Sequence, residues 1–338
     1  LMNKSALWGT IAGSAVVLLV AGGLAAGDYV YTSGTAVSCS INADDVQNTP
    51  AHFWTQSSGN GPFEGVGWDK WVGYDLSSWW MTDVPFEEDI IPVAEDINLS
   101  AWWITPQNGN GKTVIVTHGI NTSRRDFTVL LPTSMLVREG FNVLLVDRRD
   151  EGESTCTDGR HSAGQEESDD FAVVADWLVS KKGVHPKSLG MFGVSGGAIT
   201  TSLVPAKTDK VSAFAMEGTI FDFSAAAQHE VEFKGFPGFL WQLAIVAAQW
   251  FHGVNLTETS VTSAIDAAGD RPMLILHGDA DSRLAYQSSV DFVAYAKSVG
   301  VDATLETFKG ADHTEGMLTE TDRYAAALTS FFDKSLQP

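Results

Sequence analysis

Nine consecutive residues, Leu189-Gly190-Met191-Phe192-Gly193-Val194-Ser195-Gly196-Gly197, restrict this chain's fold more than any other stretch. An apolar run of strand character meets Gly-x-Ser-x-Gly, and residues 198–204 are able to continue as a helix. A strand that passes at once into a helix has to bend sharply. Glycines at 193 and 197 let the backbones approach, leaving Ser195 at the tip, strained and with its hydroxyl exposed. This is a nucleophile elbow if other strand ends bring a base, an acid and an oxyanion hole. Otherwise it is a Gly-rich turn between core elements.

The surrounding pattern is regular from residue 86 onward. Residues 87–93 and 99–104 read as two strands with a turn between them, and Thr113-Val114-Ile115-Val116-Thr117 is a β-branched run typical of a buried parallel strand. Strands at 142–146, 189–192, 211–216, 273–276 and 304–308 alternate with helices at 127–140, 168–182, 285–299 and within 320–332. Alternation of this kind implies a mostly parallel, doubly wound sheet of eight strands, with the antiparallel ones at its start. One segment breaks it. Residues 233–251 are strongly apolar and too long for a plain crossover, so 221–264 reads as a small helical cap, with Phe236, Phe239 and Trp241 as candidate substrate-binding residues.

Before residue 86 the chain changes character twice. Lys4 precedes an uncharged run from residue 5 to 27 that Asp28 ends, and residues 6–26 are long enough to cross a bilayer as a helix. Residues 1–27 are therefore expected to be a transmembrane anchor, with a cleaved signal peptide as the rival. Lysine on one side and aspartate on the other place the N-terminus in the cytoplasm and the body outside the cell membrane, or secreted if cleavage occurs. Residues 28–85 read as a polar linker followed by an aromatic-rich region holding Trp54, Phe63, Trp68, Trp71, Trp79 and Trp80, which are expected to be core or to cover a sheet edge. Residues 86–338 form the main domain. Cys39 and Cys156 are the only cysteines, and outside the cytoplasm they are candidates for one disulfide.

An exposed serine is a poor nucleophile until a histidine takes its proton and an acid orients that histidine. His313 follows the last strand, in Phe308-Lys309-Gly310-Ala311-Asp312-His313, which is where a site at the sheet's carboxyl edge would recruit a base. The loop after the preceding strand holds two competing acids, Asp279 and Asp281, with Arg283 nearby to keep a carboxylate ionised. Charge developing on a tetrahedral oxygen needs pre-aimed N–H donors. Gly196 offers one at a helix N-terminus, and Ile120, after His118-Gly119, is the natural second. His118 itself reads as a packing residue under that loop. Arg124 and Arg125 read as a solvated pair.

These motifs resemble the α/β-hydrolase superfamily, especially single-domain serine hydrolases related to prolyl oligopeptidase and serine aminopeptidases. Thr117-His118-Gly119, Asp147-Arg148-Arg149-Asp150-Glu151-Gly152-Glu153-Ser154, residues 193–197, and His277-Gly278-x-x-Asp281 followed by Gly310-Ala311-Asp312-His313 carry the likeness, over roughly residues 86 to 335. The resemblance implies the α/β-hydrolase fold and Asp281, over Asp279, as triad acid. Some relatives place the acid after an earlier strand, which keeps Glu217 and Asp222 as alternatives. Asp150 and Glu151 depart from the family's Gly and His.

The expectation is a membrane-anchored serine hydrolase in which Ser195, His313 and Asp281 cleave a carboxylic ester, of lipid-like or small-molecule kind, through an acyl-enzyme. A peptidase or amidase is the first alternative. A non-catalytic, hydrolase-like subunit beside a membrane protein partner is the second. No cofactor and no metal are implied, since His161, His185, His229 and His252 show no ligand spacing and no glycine loop resembles a phosphate cradle. With 21 basic against 42 acidic residues, and a net charge of −21, the chain is repelled by phosphate backbones, which argues against a nucleic-acid partner.

Overall fold

The structure, a computed structural model, describes the backbone of residues 4–41, 45–55 and 68–338, and side chains within 20–41, 45–55 and 70–338. Eight strands form one sheet among the described residues: β1 Phe86–Ala94, β2 Ile97–Ile104, β3 Thr113–Thr117, β4 Asn142–Val146, β5 Leu189–Val194, β6 Ala213–Glu217, β7 Met273–Gly278 and β8 Ala303–Phe308. Their spatial order is β1-β2-β4-β3-β5-β6-β7-β8. β1 pairs antiparallel with β2 and β2 with β4, and every other pairing is parallel. All residues of β3, β5, β6 and β7 are buried, as expected of central strands covered on both faces.

Two helical layers provide that cover. α2 Phe127–Arg138 packs with α9 Gly316–Thr319 and α10 Thr321–Ser335, while α3 Gln165–Trp177 packs with α4 Gly196–Leu203, which also meets α7 Val261–Ala268. α8 Tyr286–Ser298 lies against β7 and β8. β5 shows why small residues are needed between the layers. A Cβ on Gly190 would strike Phe332 of α10 at 2.5 Å, and one on Gly193 would strike Gly197 O of α4 at 2.1 Å. The chain leaves β3 towards β4 on one side and returns to β5 on the other, so the loops after β3 and β5 part from one another. Crevices at such switch points, outside the carboxyl ends of strands, are where open α/β sheets build sites.

The aromatic-rich region before β1 belongs to this unit. Phe53, Leu76 and Met81 enter its core, with Trp71, Trp79 and Trp80 half-buried against them. Trp80 Nε1 donates to Phe53 O at 2.6 Å, and the Arg138 guanidinium lies 4.3 Å from the Trp79 ring centre. Residues 70–84 thus join the core and cover the sheet, as expected for the aromatic-rich region. Trp54 is 45% exposed, and the side chains of Phe63 and Trp68 lie outside the described residues.

Residues 1–36 and 223–258 form a second compact unit. It holds α1 Lys4–Thr35, α5 Phe223–Phe233 and α6 Leu240–Ala247. The expected cap is accordingly shorter than 221–264, because α7 and its capping Ser260 belong to the sheet unit. The boundary expected at residue 28 also moves. α1 runs through it, since Asp28 accepts from His252 Nε2 at 2.7 Å and Tyr31 packs its ring 4.8 Å from that imidazole. Gly23 and Gly27, one turn apart, bring α1 against α6. A Cβ on Gly27 would come within 2.4 Å of Leu243 O. The expected span at 6–26 falls largely on residues whose side chains lie outside the described set. Among the described residues no helix is long and apolar enough to cross a membrane.

Candidate active site

Ser195 occupies the bend between β5 and α4 with φ 53° and ψ −114°, a conformation non-glycine residues adopt only under constraint. The constraint is visible on both sides. Ser195 N–H donates to Glu217 O at 2.8 Å and its carbonyl accepts Ile199 N–H at 3.0 Å. A Cβ on Gly197 would lie 2.6 Å from the carbonyl oxygens of Thr117 and His118, so side chains on either flanking position would push the elbow apart. Ser195 is 6% exposed.

The loop after β8 delivers His313, which is fully buried. Its Nε2 lies 2.9 Å from Ser195 Oγ and its Nδ1 lies 2.7 Å from Asp281 Oδ2, on the loop after β7. The carboxylate fixes the tautomer: Nδ1 donates to it, so the Nε2 lone pair faces Ser195 Oγ and can accept the serine proton. Asp281 is held in turn by three further donors. His277 Nε2 donates to Oδ2 at 2.9 Å, while Oδ1 accepts the N–H groups of Arg283 at 2.8 Å and Leu284 at 2.7 Å. Burial alone would raise its pKa, but the His313 and His277 imidazoles outweigh burial and hold it below the ordinary carboxylate value. His277 Nδ1 then accepts from Ser289 Oγ at 2.6 Å.

The other acids weighed from the sequence go elsewhere. Asp279 is exposed and takes Gly310 N–H at 2.6 Å. Asp222 is exposed. Glu217 is 1% exposed beside Tyr324, and burial pushes its pKa up to about 8.

On the other side of Ser195, the loop after β3 passes close enough that a Cβ on Gly119 would stand 3.3 Å from Ser195 Cβ. A Cβ on Gly196 would stand 3.0 Å from Ile120 N, so the two residues expected as donors lie side by side next to Ser195. His118 is fully buried beneath this loop. Its Nδ1 donates to Gly119 O at 2.8 Å and its Nε2 accepts Arg148 N–H at 3.1 Å. Burial, with Arg148 and Arg124 nearby, lowers its pKa to about 3, so it stays neutral and structural.

Arg124 and Arg125 are not solvated. Arg124 is 1% exposed, ion-paired with Asp147 and Glu153, and its guanidinium lies 4.6 Å from the Trp102 ring centre. Arg125 bonds Asn48 O at 3.0 Å and pairs with Glu153 at 3.2 Å. Sequence proximity to the oxyanion loop suggested a surface, but Asp147 waits across the sheet edge to neutralise Arg124. The same carboxylate explains Gly152, where a Cβ would lie 2.3 Å from Asp147 Cγ. Asp150 sits at φ 63° and accepts the N–H groups of Thr157, Asp158 and Gly159. Beside it, Cys39 and Cys156 form the disulfide. Glu151 pairs with Arg148, and burial lifts its pKa to about 7 against that pairing.

Two supports escaped sequence reasoning. His277 carries a signal, since it stands four residues before Asp281. Glu315, two residues past His313, carries none: it accepts from Asp312 N at 3.0 Å and from Lys70 Nζ at 2.7 Å and Trp71 Nε1 at 2.8 Å, partners 245 and 244 residues away in the chain that brace the His313 loop. Phe236, Phe239 and Trp241 are carried by the helical unit, with Phe239 67% exposed.

A family model described as the prolyl oligopeptidase family matches residues 128–338, more than half of the chain. Among solved structures, an esterase of Pyrococcus furiosus is similar with a TM-score of 0.60 at 20% identity, over 75% of this chain and 94% of that one. Est1E from Butyrivibrio proteoclasticus, in a structure with ferulic acid bound, matches with a TM-score of 0.56 at 20% identity, over 73% of this chain and 98% of its own. A Mycobacterium tuberculosis puromycin-hydrolyzing peptidase gives 0.61 at 19% identity, over 80% of this chain but only 42% of that one. At these identities the likeness is one of fold.

Proposed function

We propose that this chain, which belongs to the prolyl oligopeptidase family of serine hydrolases, cleaves carboxylic esters through an acyl-enzyme on Ser195. The observation that carries the chemistry is the unbroken line of contacts from Ser195 Oγ through His313 to Asp281. Ser195 Oγ attacks the acyl carbonyl as His313 Nε2 takes its proton. The tetrahedral oxygen draws on the N–H groups of Ile120 and Gly196. His313 then protonates the departing alcohol, and water, activated by the same imidazole, releases the acid. Asp281 stays ionised throughout and keeps the imidazole oriented.

Ester over amide is favoured by the aromatic segment inserted between β6 and α7, whose Phe236, Phe239 and Trp241 suit an acyl or aromatic group. The esterases matched over nearly their whole length support the same choice. Ser195→Ala should reduce p-nitrophenyl ester turnover by about 10⁶-fold, the scale of losing a serine nucleophile, with the melting temperature preserved. Turnover left intact would sink the proposal. A peptidase or amidase reading has the family's description and the puromycin-hydrolyzing neighbour in its favour. Aminoacyl p-nitroanilides cleaved faster than matched p-nitrophenyl esters would decide for it. A non-catalytic role would be revealed by a folded protein that a serine-directed fluorophosphonate does not label.

Export is the companion proposal. The Cys39–Cys156 disulfide is of the kind that persists outside the cytoplasm, and the uncharged run behind Lys4 is the segment that would direct or tether the chain there. Fractionation should find the protein beyond the cytoplasm, and recovery with the cytosol in reduced form would overturn this.

A further inference from the structure

The oxyanion side of the site is held by a carboxylate that the reaction above does not use. Glu151, in the turn after β4, is 1% exposed. Its Oε1 accepts the N–H of Asn121, and its Oε2 accepts from Arg148 Nε at 2.8 Å and from Arg148 Nη2. Asn121 follows Ile120 directly and sits in the left-handed region at φ 58°. The N–H that Glu151 holds belongs to the peptide plane joining residues 120 and 121. Fixing that plane leaves only the two backbone dihedrals of Ile120 between it and the Ile120 N–H.

Asn121 is gripped a second time through its side chain, where Oδ1 accepts Ser38 N–H at 3.0 Å. Ser38 adjoins Cys39, which the disulfide ties to Cys156. Arg148 links the grip to the other donor, since its Nη1 lies 3.0 Å from the point where Gly196 would carry a Cβ. One buried ion pair therefore lies beside both Asn121 and Gly196. Without the carboxylate, Asn121 has lower-energy basins open to it than the left-handed one, and relaxing into them turns the 120–121 plane.

We propose that Glu151 is a positioning residue for the oxyanion hole, holding the 120–121 peptide plane so that Ile120 N–H points at the oxygen of the reacting acyl group. The proposal rests on the serine-hydrolase reading of Ser195. Glu151→Asp keeps the negative charge beside Arg148 but is one methylene too short to serve both partners. It should lower kcat for a p-nitrophenyl ester at least about tenfold, with KM within about twofold, and slow fluorophosphonate labelling of Ser195 by a similar factor. Glu151→Ala should fall further, towards the roughly hundredfold cost of a lost oxyanion donor. Turnover of a thionoester, whose sulfur accepts hydrogen bonds poorly, should suffer less than that of the matched ester, which general loosening of the site would not produce. Should the alanine variant fail to fold in a melting scan, the aspartate variant carries the test. A folded variant with wild-type kcat, one that changes KM alone, or equal losses on ester and thionoester overturns the positioning role. Wild-type protein that the fluorophosphonate leaves unlabelled overturns the hydrolase reading beneath it instead.

Discussion

Glu217 and Asp281 are buried carboxylic acids at the carboxyl ends of neighbouring strands, β6 and β7, and their surroundings put them in opposite states. The Asp281 side chain has no exposed surface, yet it receives two imidazole donors and two backbone N–H groups. Glu217 is equally dry. Its carboxyl faces the equally buried Tyr324 hydroxyl, one donor against the four that Asp281 receives. Burial, with the Asp281 charge adding to it, therefore keeps Glu217 protonated to about pH 8. Burial alone says nothing about ionisation; the number of donors aimed at the carboxylate decides it. The acid that can orient a histidine is the one already paid for by its neighbours.

Asp281→Asn tests this contrast most severely. The amide cannot accept as a carboxylate does and favours the wrong tautomer of His313, so kcat should fall about 10⁴-fold with the fold intact. A loss below about tenfold would mean another acid serves, with Glu217 the first suspect. His277→Ala removes one donor from Asp281. It should cost about 2 kcal/mol of transition-state stabilisation, near thirtyfold in kcat, as expected for a hydrogen bond to a charged group. No change would show that the remaining donors suffice.

Glu217→Gln should leave kcat within about threefold, less than 1 kcal/mol of transition-state stabilisation, and its signature is in stability. The folded pKa of Glu217, about 8, lies above the ordinary glutamate value of 4.5. Its contribution is therefore fully present below about pH 4.5 and is lost as pH rises towards 8, because only the unfolded chain ionises in that window. Denaturant melts should show the glutamine variant gaining on wild type between pH 5 and pH 8, by at least about 1 kcal/mol. Parallel curves would mean that Glu217 is ionised in the fold, and the contrast with Asp281 would collapse.

Much of the sheet unit is legible because its cues are local. The β-branched run of β3, the apolar runs of β5 and β7, and the Gly-x-Ser-x-Gly bend each declare themselves within about ten residues. Burial of charge was less legible. Arg124 looks solvated until Asp147, 23 residues on, is folded beneath it, and Asp28 looks like a helix end until His252, 224 residues on, accepts its company. Their loop alone left Asp279 and Asp281 open as partners for His313, and resemblance rather than residue chemistry favoured Asp281 and kept Glu217 and Asp222 as alternatives.

By itself the sequence determined the strand-and-helix alternation, the elbow at Ser195, and the placing of His313 and the candidate acids in loops at strand ends. These depend on the side-chain period and on backbone permissiveness, both properties of short segments. Only the tertiary structure decided which carboxylate is ionised, which arginines are neutralised, and how the oxyanion loop is braced by Glu151 and Ser38. Those outcomes depend on desolvation and on donors brought within 3 Å from distant positions, quantities that do not exist until the chain is folded.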